Sequence, residues 1–102
     1  MTAVESLHTL DEEFASFCRR NGITRLAVFG SALRDELGLD SDLDLLIEFE
    51  PGRKPGLLRL AQLEMELEGL VGREVELRTY HDLSVLFRDE VRRQARDLYA
   101  AA

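Results

Sequence analysis

Three short strand-like segments, 24–29, 43–49 and 74–78, lie between stretches whose apolar residues recur at helical spacing. This interleaving constrains the fold most, because strands alternating with helices bury a sheet beneath helices. The first stretch, 3–21, reads as an amphipathic helix with Leu7, Leu10, Phe14 and Phe17 on one stripe. Asn21-Gly22 supplies its stop. Ser31 to Leu37 reads as a short helix ending at Gly38, and residues 38–41 as a loop. In 43–49, Leu43, Leu45, Ile47 and Phe49 alternate onto one face. Residues 51–56 form a turn rich in Pro and Gly. A helix over 57–71 then points Leu60, Leu63, Leu67 and Leu70 inward and leaves Glu64, Glu66 and Glu68 wet, with Gly72 as its stop. Thr79 and Asp82 have the spacing of a capping box, and the chain closes as a helix to about residue 99 with Phe87, Val91 and Leu98 as its stripe.

The expected fold class is therefore α/β of the α+β kind: a small mixed sheet of three strands or slightly more, flanked by about four helices. Thirteen residues separate Phe29 from Leu43, so length leaves the pairing direction of the first two strands open. With 102 residues the chain is expected to form one domain, 1–102, around one modest core. No apolar run approaches the roughly 20 residues of a membrane span. The first residues lack the basic and apolar regions of a signal peptide. A cytoplasmic location and no membrane partner are the expectation. The single Cys18 agrees with a reducing compartment and reads as a small core residue. A net charge of −7 argues against direct nucleic-acid binding, whose affinity comes from neutralising phosphates. It suits a site that collects divalent cations, or a basic protein partner.

One segment carries chemistry: Gly30-Ser31, ten residues, then Asp42-Leu43-Asp44. Gly30-Ser31 falls where a strand ends and a helix begins, a place with free backbone N–H groups that suits phosphate. Asp42 and Asp44 are alternate residues at a strand start, so their carboxylates share a face. Two adjacent carboxylates repel unless a cation lies between them, and hard oxygen ligands beside a triphosphate suit magnesium. Together these features describe a phosphoryl or nucleotidyl transfer site.

Other polar residues carry less. Arg34, one turn past Ser31, either neutralises a triphosphate or pairs with a nearby acid. Arg25 reads as a strand-edge charge without a site role. Arg53 and Lys54 lie in the turn and read as solvated, with phosphate closure as the alternative. His8 and His81 have no clustered ligand partners and read as surface residues. Arg88, Arg92 and Arg96 recur every four residues and read as a basic, ion-paired stripe on the last helix, or as a contact for an acidic partner.

The residues Gly30-Ser31, Asp42-x-Asp44 and the run Ser41 to Leu46 resemble the signature of the DNA-polymerase-β nucleotidyltransferase superfamily, in its minimal (MNT) branch. The resemblance covers nearly the whole chain. It implies a small mixed sheet whose first two strands run antiparallel. It also implies an antitoxin of the MNT/HEPN toxin–antitoxin type, paired with a HEPN ribonuclease toxin, that transfers AMP from ATP to a tyrosine of that partner with magnesium, two ions by family habit. Gly30, Ser31 and Arg34 would bind nucleotide, and Asp42 and Asp44 would be catalytic metal ligands. Family enzymes place a third aspartate in a Val-Asp-Leu strand. Here Val75-Glu76-Leu77 stands instead, so Glu76 takes that position, either as third catalytic ligand or as a solvated strand residue. The alternative function is an antitoxin that neutralises its toxin by binding alone.

Overall fold

The computed structural model describes residues 3–34 and 42–101. The N-terminal helical stretch is broken: α1 covers Ala3–Leu7, a 3-10 turn His8–Leu10, and α2 Asp11–Arg20. The Thr9 hydroxyl donates to the Ser6 carbonyl, and Asp11, Glu12 and Glu13 open the new helix where its dipole favours acids. Strand β1 is Ile23–Phe29, a 3-10 turn spans Gly30–Arg34, and β2 is Leu43–Phe49. Helix α3 is Leu57–Val71 and strand β3 is Val75–Arg78. The expected short helix from Ser31 appears as this 3-10 turn as far as Arg34, and its remainder, with the 38–41 loop, lies outside the described residues.

The end of the chain departs from the sequence reading. A 3-10 turn Tyr80–Asp82 is held by the expected Thr79–Asp82 capping box, and α4 covers only Arg88–Gln94. Residues Arg96–Ala100 form a fourth strand, β4, in place of continued helix. Phe87 is exposed and Leu98 is buried in β4, so they share no helical stripe. The cause is the free edge of β1, whose backbone groups need partners. Strand β4 supplies them, with Leu26 opposite Tyr99 and Val28 opposite Arg96. Arg25 fixes the corner: its guanidinium donates to the Arg92 and Ala95 carbonyls at 3.1 Å each and pairs with Asp97 and Glu48.

The sheet order is β3-β2-β1-β4, with β1 antiparallel to β2 and β4 and with β2 parallel to β3. One face packs Leu26, Val28, Leu43, Leu45, Ile47, Val75 and Leu77 against Phe14, Phe17 and Cys18 of α2 and Leu63 and Leu67 of α3. Each such large side chain contributes about 1.5–3 kcal/mol of burial. Burial pushes the Cys18 thiol up to about 12, so it behaves as a small apolar residue. The opposite face is partly covered too, since Leu46 is buried with Ala27 and Ala95.

Strand β3 is a sheet edge, yet two of its amides have partners. Val75 N–H donates to Glu68 and Leu77 N–H to Glu64, each at 3.0 Å. Those two carboxylates were expected on the wet side of α3. They serve instead as acceptors for amides on the outer edge of β3, while Glu66 pairs with Arg20. No helix among the described residues is long and apolar enough to cross a membrane.

Candidate active site

Sheet register builds the site. Phe29 at the end of β1 faces Asp44, and Asp44 faces Glu76 across the parallel β2–β3 pair. Leu43 N–H donates to the Glu74 carbonyl at 2.9 Å, tying the starts of these two strands together. Alternation places Asp42, Asp44, Glu74 and Glu76 on the sheet face opposite Leu43, Leu45, Val75 and Leu77. The sequence-predicted carboxylates Asp42, Asp44 and Glu76 are thus brought to one edge.

Gly30 closes the other side. Its φ is +76°, a left-handed conformation that favours glycine, and a Cβ there would lie 2.5 Å from Asp44 Oδ2. The glycine therefore lets the Gly30 backbone lie close against the Asp44 carboxylate. Ser31 follows, half-buried, in the 3-10 turn. Arg34 ends that turn, and its side chain lies outside the described residues.

The carboxylates stand as two touching pairs. Asp44 is partly buried and pushed up to about 6, first by desolvation, then by the hydrogen bond to Glu76 and the charges of Glu76 and Asp42, against the pull of Arg78. Glu74 shares a hydrogen bond with the exposed Asp42, which holds its carboxyl above the ordinary range. Among the described residues no three His, Cys, Asp or Glu side chains converge as a ready-made metal cage. Magnesium needs no such cage, since it keeps several waters and binds through one or two carboxylates plus phosphates. The donor chemistry fits as well, since a hard dication relieves the crowding that raises Asp44.

Two residues of this edge carried no role in the sequence reading. Glu74 touches Asp42, and Arg78 donates to Glu76. The signal for both was the strand period, which puts 74, 76 and 78 on one face.

The remaining polar residues lie elsewhere. A cavity of about 810 Å³ opens at the other end of β2 and β3, lined by Ile47, Phe49, Leu57 and Tyr80 together with Arg53 and Lys54. None of the carboxylate-edge residues lines it, so Arg53 and Lys54 face this space and not the carboxylate edge. His8 pairs with Asp11, and His81 packs edge-on against Tyr80. The supposed Arg88, Arg92, Arg96 stripe is split. Arg88 and Arg92 sit over the Tyr80 ring at 4.9 and 5.1 Å, whereas Arg96 belongs to β4.

The sequence profile of the nucleotidyltransferase domain matches residues 11–99. The chain belongs to the nucleotidyltransferase domain family. This nucleotidyltransferase domain is 38% identical over 79 residues to a Methanocaldococcus jannaschii protein provisionally named a protein adenylyltransferase, covering 78% of this chain and 83% of that one. It is 45% identical over 58 residues to the protein adenylyltransferase MntA of Thermococcus cleftensis, covering 57% of each. A solved structure provisionally named a minimal nucleotidyltransferase is 43% identical, with a TM-score of 0.74 over 93% of this chain and 94% of the other. Two more distant structures share the fold. One is a toxin–antitoxin complex with AMP-PNP (TM-score 0.71, 17% identity, 89% of this chain and 73% of the other). The second is a tri-AMPylated Shewanella oneidensis HEPN toxin with its MNT antitoxin (TM-score 0.66, 15% identity, 93% and 73%).

Proposed function

We propose that this nucleotidyltransferase domain, acting as one unit over 1–102 in the cytoplasm, is a magnesium-dependent protein adenylyltransferase. Its role is that of an antitoxin that moves AMP from ATP to a tyrosine of a HEPN toxin. The observation that carries this reading is the Gly30 backbone lying against Asp44 while Asp44 stands opposite Glu76. A phosphate cradle and a carboxylate row in contact are what transfer at a triphosphate needs. The relatives named for protein adenylylation and the HEPN toxin bound by a protein of this fold support the acceptor class.

Asp42, Asp44 and Glu76 would hold magnesium. When bound, the metal supplies Lewis-acid stabilisation of the phosphate charge and lowers the pKa of the attacking hydroxyl. The residues of this chain do the remaining work. Gly30 and Ser31 hold the departing pyrophosphate through backbone N–H groups and the serine hydroxyl, and Arg34 offers it a positive charge. Glu76, at the open edge of β3, receives the tyrosine proton. The tyrosine oxygen bonds to the α-phosphorus as the bond from that phosphorus to the pyrophosphate oxygen breaks. Net, ATP and a tyrosine hydroxyl become an AMP-tyrosine ester and pyrophosphate.

The test incubates the domain with a HEPN partner and magnesium-ATP and weighs the partner by mass spectrometry. A gain of one or more AMP groups on tyrosine, lost in the Asp42→Asn, Asp44→Asn double variant, is expected. A partner that is neutralised with its mass unchanged would overturn the enzymatic reading and leave binding alone.

A further inference from the structure

Arg78 follows Glu76 on the same face of β3, opposite Leu46 as Glu76 is opposite Asp44. Its guanidinium donates to Glu76 Oε1. Its charge is felt by Asp44 as well, where it opposes the upward pressure of burial and of the neighbouring acids. Asp42, Asp44, Glu74 and Glu76 bring four carboxylates to this edge, and among the described residues Arg78 is the cation hydrogen-bonded to them. Glu76 is therefore already engaged. A guanidinium fork and a hard dication use the same carboxylate lone pairs, so each weakens the claim of the other.

We propose that Arg78 is a resident counter-ion that competes with the divalent cation for Glu76, so that metal loading requires its guanidinium to leave that carboxylate. The proposal rests on the reading of Asp42, Asp44 and Glu76 as the metal-binding row. Arg78 and Glu76 are both partly open to water, with side-chain exposures of 45% and 39%, so the pair can part without stranding a buried charge. A phosphate group arriving at the same edge is the natural new partner for the released guanidinium. Arg78 thereby makes metal and nucleotide binding mutually supportive: the free chain binds magnesium weakly, and a phosphate that draws Arg78 away exposes Glu76 to the ion.

The experiment titrates magnesium chloride into the nucleotide-free chain by calorimetry at low ionic strength, for wild type, Arg78→Gln and Arg78→Lys. Arg78→Gln should bind magnesium about tenfold more tightly, the size expected for removing one charge about 6 Å from a dication in water. Arg78→Lys, which keeps the charge, should stay near wild type. Without metal, Arg78→Gln should melt below wild type, and saturating magnesium should erase the deficit. Equal or weaker binding by Arg78→Gln, beside measurable binding by wild type, overturns this inference alone. Absence of binding in every variant overturns it together with the metal reading. Should Arg78→Gln fail to fold, the unaltered chain still decides: the Arg78 Nε–Hε resonance should move on magnesium addition, and a resonance unmoved at saturation refutes the competition.

Discussion

Replacing Asp44 by Asn deletes a charge from the most crowded point of the carboxylate edge, and its effect on the metal-free domain follows from the structure. An ordinary aspartate ionises near 3.8 and Asp44 near about 6. Taken at face value, that difference makes ionised Asp44 cost the fold about 3 kcal/mol at neutral pH. The carboxyl is partly open to water, so screening reduces the cost to about 1–2 kcal/mol. Because the folded-state pKa is raised, the cost is absent below the unfolded value, where both states keep the proton. It grows as pH rises from about 4 to 6 and is complete above the folded value. Asp44→Asn should therefore stabilise the domain by about 1–2 kcal/mol at pH 7.5 in a chelator, and each kilocalorie raises Tm by about 4–8 °C for a chain of this size. Most of that gain should vanish at pH 4, and magnesium should shrink it at pH 7.5 by stabilising the natural carboxylate. Thermal melts of both proteins at the two pH values make the comparison. A gain of the same size at pH 4 as at pH 7.5, or none at either, would refute the reasoning.

Three further perturbations probe the site and its support. Gly30→Ala forces a Cβ to within 2.5 Å of Asp44 Oδ2 on a backbone at φ +76°; it should cost about 1–2 kcal/mol in denaturation and depress transfer, and a wild-type rate would show that the close approach is unnecessary. Glu76→Gln should slow transfer by about 100-fold or more while Glu76→Asp keeps or raises the rate, and a silent Gln variant would remove Glu76 from the mechanism. Arg25→Ala strips the corner between α4 and β4 of two carbonyl contacts and two ion pairs; a loss of about 2–3 kcal/mol in urea unfolding is expected, and one below about 0.5 kcal/mol would mean that strand pairing alone holds β4.

Elements governed by local chemistry were legible in the sequence. Strand β2 and helix α3 begin and end where alternation, apolar spacing and Gly72 place them, and the Thr79–Asp82 box lies where its spacing puts it. Strand period also placed Asp42, Asp44 and Glu76 on a polar face, although their convergence needed the register between β2 and β3. What stayed hidden was set by distant parts of the chain. The segment 96–100 has no strand pattern stronger than its helical one, and it becomes β4 because β1 offers an unpaired edge and Arg25 caps the last carbonyls of α4. The antiparallel course of β1 and β2 was implied by the family resemblance and not by loop length. Arg78 went unassigned because strand period gave it a face but no partner. Its meaning comes from Glu76 and Asp44 standing next to it.

The paired carboxylates of α3 also work as a gauge. Glu64 and Glu68 are one helical turn apart, a rise of about 6 Å, and they grip amides two strand residues apart, about 6.6 Å. The two spacings match, so both acids grip β3 at once and tie the helix to the Val75 and Leu77 amides. A slip of one residue would turn Glu76 into the core and bring Val75 or Leu77 to the carboxylate edge. The placement of the carboxylate row is therefore supported by two acids on the neighbouring helix. The same grip occupies two outward amides of β3, donors that an added strand would need.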